Sequence, residues 1–244
     1  MTWRTRLRLL EPAAGADTPR ATTAPLVPIA IGAGCALALL TVIIARHGAP
    51  VRSLDENLHA WAIAHRGGLD SAVARAITTG GDTALTLPTL LVVGALVPRG
   101  PRAVRSRLWA GILLAGSASI GVYVGLAINS WIGRVRPPFA DWATTAGGPA
   151  FPSGHTTAAT LFALACGWAL SGRVGPGWPR AALWGTAAAY SLAVGISRVW
   201  LGVHWPTDVM GGWLYGVTWS CLVGALTMTV RGHQPRPEPS GPPR

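Results

Sequence analysis

The feature that most limits what this chain can fold into is a set of long, uncharged apolar runs. A helix crossing a bilayer core of about 30 Å needs roughly 20 apolar residues. Pro25 to Ala45, Leu108 to Gly133 and Val209 to Val230 each supply such a stretch. Three shorter runs accompany them: Thr83 to Val97, the segment from just after His155 to Ser171, and Ala181 to Ser197. The expectation is an all-α, polytopic membrane bundle with six transmembrane helices. Trp109 and Trp131 bracket the third run, and at about 1.5 Å rise per residue they stand ~33 Å apart, the spacing of the two membrane interfaces. Only 12% of the residues are charged while 50% are hydrophobic, which argues against an ordinary soluble domain and against a disordered chain.

Arginine placement sets the expected orientation. The chain has 20 basic residues, all of them Arg. Thirteen, from Arg4 to Arg20, Arg99 to Arg107, at Arg173 and Arg180, and from Arg231 to Arg244, fall in the tails and alternate loops beside only three acids, Glu11, Asp17 and Glu238. The other loops hold seven Arg and six acids. Short cytoplasmic loops collect positive charge, so the reading is a multi-pass cell-membrane protein with both termini cytoplasmic and the loops after spans one, three and five outside. Residues 1–24 read as a cytoplasmic tail, 25–231 as the six-span domain and 232–244, rich in Pro, as a disordered cytoplasmic tail. The first run is long for a cleaved signal and Arg46 follows it directly, so it reads as an uncleaved span. A net charge of +11 would suit nucleic acid in a soluble protein, but scattered Arg make no contiguous basic surface, so no nucleic-acid partner is expected. Cys35, Cys166 and Cys221 lie in apolar runs without metal or redox spacing and read as small buried hydrophobes.

The first outer loop carries a capping-box signature, Ser53 with Glu56 three residues on. Leu54, Leu58 and Trp61 then share one helical face, opposite Asp55, Asn57 and His59, which predicts an interfacial helix on the membrane surface. Asp70 is placed to cap another short helix carrying Val73, Ala76 and Ile77. A solvated connector without a chemical role fits this loop equally well.

Chemistry concentrates in two outside loops and at three places: Arg134-Val-Arg136-Pro137-Pro138, Pro152-Ser153-Gly154-His155, and Ser197-Arg198 followed by His204 and Asp208. Ser153 is placed to cap span four, whose first N–H groups and positive dipole end form an anion site. Arg136 and Arg198 add bidentate donors suited to phosphate oxygens. Pro206 fits a first helical turn, so Asp208, four residues after His204, can hold one imidazole nitrogen protonated and leave the other as a nucleophile. His155 remains as a proton donor for a leaving oxygen. Singly, each group also reads as a headgroup anchor or a surface hydrogen bond; the three together, in order and on one side, favour a phosphate site.

These residues resemble the type 2 phosphatidic acid phosphatase family, membrane relatives of bacterial acid phosphatases and vanadium haloperoxidases. Its pattern is Lys-x6-Arg-Pro, then Pro-Ser-Gly-His, then Ser-Arg-x5-His-x3-Asp. The second motif is complete at Pro152 to His155 and the third from Ser197 through Asp208; the first has Arg136-Pro137, with Asn129 at the Lys position. The resemblance also takes in Leu54-Asp55 and the region from Ile77 through Gly80 to Asp82, and leaves out both tails. It implies that His204 attacks phosphorus to give a phosphohistidine, Asp208 orients it, and His155 protonates the departing group and later activates water. Arg136, Arg198, Ser153 and the Gly154 backbone would hold the phosphoryl oxygens, with Asn129 and Arg134 as further candidates, Arg134 standing in for the missing Lys charge. The scheme needs no metal and no cofactor. The expected activity is an integral membrane phosphatase acting on a lipid phosphate or polyprenyl pyrophosphate. The alternatives are a non-catalytic lipid-binding or transport protein with this fold, or a vanadate-dependent haloperoxidase.

Overall fold

The computed structural model describes residues 25–46, 48–96 and 103–232. Both expected tails lie outside the described residues, as do Arg99 and Arg102. The described residues form eight α-helices and no strands: α1 (Leu26–Ala45), α2 (Ala49–His65), α3 (Gly68–Thr78), α4 (Thr83–Leu96), α5 (Ala103–Ile132), α6 (Gly154–Ser171), α7 (Trp178–Trp200) and α8 (Pro206–Gly232). Single 3₁₀ turns follow α3 at Thr79–Gly81 and precede α6 at Phe139–Asp141. The all-α membrane bundle is as expected. Ile31, Leu39, Leu113, Leu126 and Leu226 stand exposed around it, a surface that suits lipid and not water.

Length and hydropathy mark three spans, Leu26–Ala45, Leu108–Ile132 and Pro206–Thr229; α3 with its 3₁₀ turn and α4 make a fourth candidate, bent by 52°. The six-span count is compatible with this bundle, and the reason two runs carry weaker signals is positional. Helix α6 is central, packed against α4, α5, α7 and α8, and buries Thr156, Thr157 and Thr160. A helix surrounded by protein can keep polar side chains that find internal partners. Thr160 does so, bonding the Thr156 carbonyl and the Ser191 hydroxyl of α7, both at 2.7 Å.

Small residues set the helix spacing. A Cβ at Gly94 of α4 would run into the backbone of Gly111 in α5, so this crossing depends on glycine on both sides. Leu90, Ala115, Ala118 and Leu161 fill the space between α4, α5 and α6, while α1 lies along α8. Two smaller clusters brace the functional end: Leu40 and Ile44 against Phe151, and Ala74 against Leu201 and Val203. Cys221 is buried, Cys166 is partly so, and Cys35 is exposed on α1. The buried reading therefore fails at Cys35, because α1 is apolar all round and turns that face outward.

Helix α2 departs from expectation in two ways. It begins at Ala49 after Gly48, with a proline in its first turn, which suits a helix start. Ser53 therefore sits inside the helix, and Glu56 pairs with Arg52 at 2.8 Å instead of closing a capping box. The polar face is also turned inward onto protein: Asp55, His59 and Ala62 are buried, while Leu54, Leu58 and Trp61 are 43–55% exposed, as on a helix facing lipid. In a membrane the apolar face meets lipid and the polar face meets protein. Helix α3 starts at Gly68 after Gly67, with Asp70 in its first turn and no side-chain cap, so the capping role expected for Asp70 is absent.

Candidate active site

The ends of α1, α5 and α7 and the starts of α4, α6 and α8 meet at one end of the bundle, with α2 and α3 laid across them. The loop between α7 and α8 delivers His204. Gly202 makes the turn at φ +74°, and a Cβ there would collide with the Asp141 carbonyl, so only glycine fits both the backbone and the space. His204 is 1% exposed. Its Nδ1 lies 3.4 Å from Asp208 Oδ2, longer than a formed hydrogen bond, a looseness common in unliganded sites. Its Nε2 faces Arg136 Nη1 at 2.9 Å.

Asp208 is fully buried in the first turn of α8. Its Oδ2 accepts from the Trp205 N–H at 2.8 Å and its Oδ1 from Arg134 Nη1 at 2.5 Å. Arg134 Nη2 donates to Asp55 Oδ2 at 2.6 Å. The Arg134 charge is thus committed to two carboxylates, which does not fit its expected use as a substitute phosphate ligand. Asn129 is buried, and its amide donates to the carbonyls of Pro149 and Pro152 at 3.0 and 3.1 Å. The residue at the Lys position therefore staples the loop leading into Pro152-Ser-Gly-His.

Arg136 binds this loop from the other side, donating to the carbonyls of Gly147, Gly148 and Pro149 and, at 2.7 Å, to that of Val203. Arg198, at the end of α7, is 2% exposed. Its Nη1 donates to Thr78 Oγ1 at 2.8 Å, its Nε has no partner, and no carboxylate pairs with it among the described residues. A buried guanidinium left without a counter-charge is costly, so this corner favours an anion.

Ser153 occupies the N-cap position of α6 but makes no side-chain cap bond. Its hydroxyl accepts from Thr156 Oγ1 at 3.0 Å, and its N–H donates to the Asp208 carbonyl. The start of α6 and the start of α8 are tied together there. Gly154 opens α6, where helix geometry leaves the first N–H groups without partners in the helix. His155 Nε2 lies 2.9 Å from Asp82 Oδ1, with the side chains 32% and 48% exposed. Gly81 permits this approach, since a Cβ there would press on His155 Cβ at 2.8 Å.

The seven motif side chains and Gly154 gather at one place, and Arg136, Arg198 and His155 all act electrostatically on His204. Burial first, and then Arg136, Arg198 and His155, hold its imidazole well below the usual histidine range, against a raising backbone bond at Ala150. Burial also lowers Arg136, partly offset by Asp208. The site therefore presents a neutral imidazole beside two guanidinium groups, an arrangement able to attack an electrophilic phosphorus whose oxygens the guanidinium groups hold. Sequence reasoning gave no role to Asp55, Thr78, Asp82 and Thr207. Asp55 and His59 do leave a signal, a polar stripe at i,i+4 on the face of α2 opposite Leu54, Leu58 and Trp61.

Residues 109–231 match the PAP2 superfamily model. Phosphatidylglycerophosphatase B of Bacillus subtilis is 30% identical over 196 residues, 80% of this chain and 94% of that protein. Decaprenylphosphoryl-5-phosphoribose phosphatase of Mycobacterium tuberculosis is 31% identical over 176 residues, 68% of this chain and 82% of that one. The crystal structure of the transmembrane PAP2-type phosphatidylglycerolphosphate phosphatase of Bacillus subtilis superposes with a TM-score of 0.73 at 25% identity, covering 84% of this chain and 98% of that one. With the fold, the motif residues and these relatives in agreement, the chain belongs to the PAP2 superfamily and is a membrane phosphatase of that type.

Proposed function

We propose that this phosphatase releases phosphate from a lipid phosphate or polyprenyl pyrophosphate at the extracytoplasmic membrane surface, through a phosphohistidine. The observation that carries the reading is the pairing of a buried, neutral His204 with Arg198, a buried cation whose only hydrogen-bonded side-chain partner among the described residues is a hydroxyl. A phosphoryl group beside His204 would give Arg198 its missing counter-charge.

In the first step the His204 Nε2 lone pair attacks phosphorus and the bond to the leaving oxygen breaks. His155 supplies the proton that oxygen takes up. In the second step water attacks the phosphohistidine, His155 takes a proton from it, the P–N bond breaks and inorganic phosphate leaves. Asp208 keeps the Nδ1 proton in place throughout. Arg136 gives up its bond to Nε2 as substrate enters, and with Arg198, Ser153 and the Gly154 N–H it holds the phosphoryl oxygens as charge builds on them. Asn129 shapes the cradle through the 149–152 loop, so the charge of the cradle rests on the two arginines.

The headgroup chemistry follows the two relatives, both named for removing phosphate from a lipid-borne group. A cavity of about 700 Å³ with Ile43, Ile44, Val51 and Ile132 on its walls and Asp55, Arg134 and Trp205 at its polar end would lodge an apolar chain next to the site. The arginine distribution favours cytoplasmic termini, which puts this end of the bundle outside. The test is phosphate release in detergent, without added metal, from phosphatidic acid, phosphatidylglycerol phosphate, diacylglycerol pyrophosphate and undecaprenyl pyrophosphate, comparing wild type with His204→Ala. Release by wild type alone supports the proposal; equal release from both proteins rules it out, and no release from either favours the non-catalytic alternative.

A further inference from the structure

Helix α2 supplies a carboxylate that the reaction scheme above does not use. Asp55 is 1% exposed, and each of its oxygens is engaged. Oδ1 accepts from the Thr207 N–H at 2.9 Å, and Oδ2 from the Thr207 hydroxyl and Arg134 Nη2, both at 2.6 Å. Thr207 is the second residue of α8, so Asp55 caps that helix across 152 residues of chain. Thr207 Oγ1 also accepts from Arg134 Nη1 at 2.7 Å, and the same Nη1 reaches Asp208 Oδ1. Asp55, Thr207, Arg134 and Asp208 form a closed circuit ending 3.4 Å from His204 Nδ1.

We infer that Asp55 is a positioning residue for phosphoryl transfer: through Arg134 and Thr207 it fixes the Asp208 carboxylate that holds the Nδ1 proton of His204. The inference rests on the phosphohistidine reading above and adds a residue to it. Two functions meet in the one side chain. As a helix cap it sets where the first turn of α8, and so Asp208, begins. As the second carboxylate on Arg134 it balances a cation that would otherwise draw Asp208 away from the imidazole. Arg134 serves two acids, so losing either acid changes how it holds the other.

The substitution Asp55→Asn keeps the shape and an oxygen for the Thr207 N–H but removes the charge. It lowers kcat by about 10- to 100-fold, less than the ~10⁴-fold that loss of a histidine's direct carboxylate partner costs a serine protease. KM stays within about twofold, since both Asp55 oxygens are spent on Thr207 and Arg134 and offer no bond to the phosphoryl group. The double variant Asp55→Asn/Arg134→Gln removes the ion pair as a unit and is no slower than Arg134→Gln alone, the non-additivity of groups acting through one another. A readout that needs no substrate comes from ¹⁵N-histidine NMR of the full chain in detergent, with the His204 signal identified by its loss in His204→Asn. In wild type the ring carries its proton on Nδ1; in Asp55→Asn the two tautomers mix. An unchanged tautomer with unchanged kcat overturns the inference, as does a double variant whose losses multiply. Failure of the phosphohistidine reading shows separately, as equal phosphate release by wild type and His204→Ala, and leaves the tautomer result to decide for or against Asp55.

Discussion

Two histidine–aspartate pairs face each other across this site, and they are built in opposite ways. His204 and Asp208 lie one helical turn apart in sequence, are buried completely, and are braced by Arg134 and the carboxylate of α2. His155 comes from the start of α6 and Asp82 from the link between the 3₁₀ turn and α4; the pair is partly open to solvent and meets at 2.9 Å because Gly81 leaves room. A nucleophile needs one lone pair held in one direction, which burial and a rigid brace provide. An acid that later serves as a base must exchange protons with water, which a half-open pair allows.

Breaking the buried pair should have the largest effect. Asp208→Asn leaves the side-chain shape but presents an amide to Nδ1, and turnover is expected to fall about 10⁴-fold by analogy with a triad that loses its orienting carboxylate. Rates on the most reactive lipid phosphate check it. On the open side, His155→Asn should cost about 10²- to 10⁴-fold in turnover, whereas the first-turnover release of nitrophenol from its phosphate ester, whose leaving group needs no proton, should keep much of its rate. An equal loss of first-turnover leaving-group release on both esters would end the assignment of His155 as the acid. Gly81→Ala pushes a methyl group against His155, and overpacking of ~1–3 kcal/mol should slow turnover about 10- to 100-fold while leaving His204 chemistry in place, read as a kcat effect from which first-turnover nitrophenol release is largely spared.

Acid should destabilise both pairs, because burial holds the His155 imidazole below the usual histidine range as well, with Arg198 adding to the effect and Asp82 opposing it. The His204 pKa is depressed in the folded state, with burial the main cause. The unfolded chain therefore binds the proton more readily, and the stability that neutral His204 contributes is present above the ordinary pKa of about 6.5 and is lost as pH falls below it. Melting in detergent should drop as pH falls below about 6.5, by up to ~1.4 kcal/mol per pH unit from this residue, and His204→Gln should lessen the slope, leaving the part that His155 contributes. The smallest effect belongs to Asp82→Asn: an ion pair with both partners partly exposed is worth ~0.2–1 kcal/mol, so a loss of about two- to fivefold in kcat is expected. A loss as large as that of Asp208→Asn would erase the contrast between the pairs.

The motif residues and the all-α bundle were readable in the sequence because both depend on local spacing: a four-residue step from His204 to Asp208, and apolar runs as long as a bilayer is thick. What was not readable depends on which way a helix faces. The stripe of Asp55 and His59 on α2 was plain, but an amphipathic helix at a membrane has two non-aqueous sides, and only the fold shows that its polar side packs on protein. There His59 Nε2 meets Asp141 at 3.0 Å. Asn129 illustrates the same limit. Its place in the motif suggested a weakened phosphate ligand, whereas its amide is spent on two loop carbonyls, a role that spacing alone does not reveal. Arg134 stood two residues from a motif arginine, and nothing in the sequence distinguished a phosphate donor from a brace between two acids.

The long reach of the α8 cap has a consequence for how the protein is made. The carboxylate at that cap belongs to α2, which is synthesised well before α8, the helix it caps. Until α8 is threaded into place, Asp55 and Arg134 hold each other without Asp208 or His204 beside them. A chain in which α8 has not yet docked on α2 has His204 without its braced Asp208, so the docking of that helix and the assembly of the site are one event.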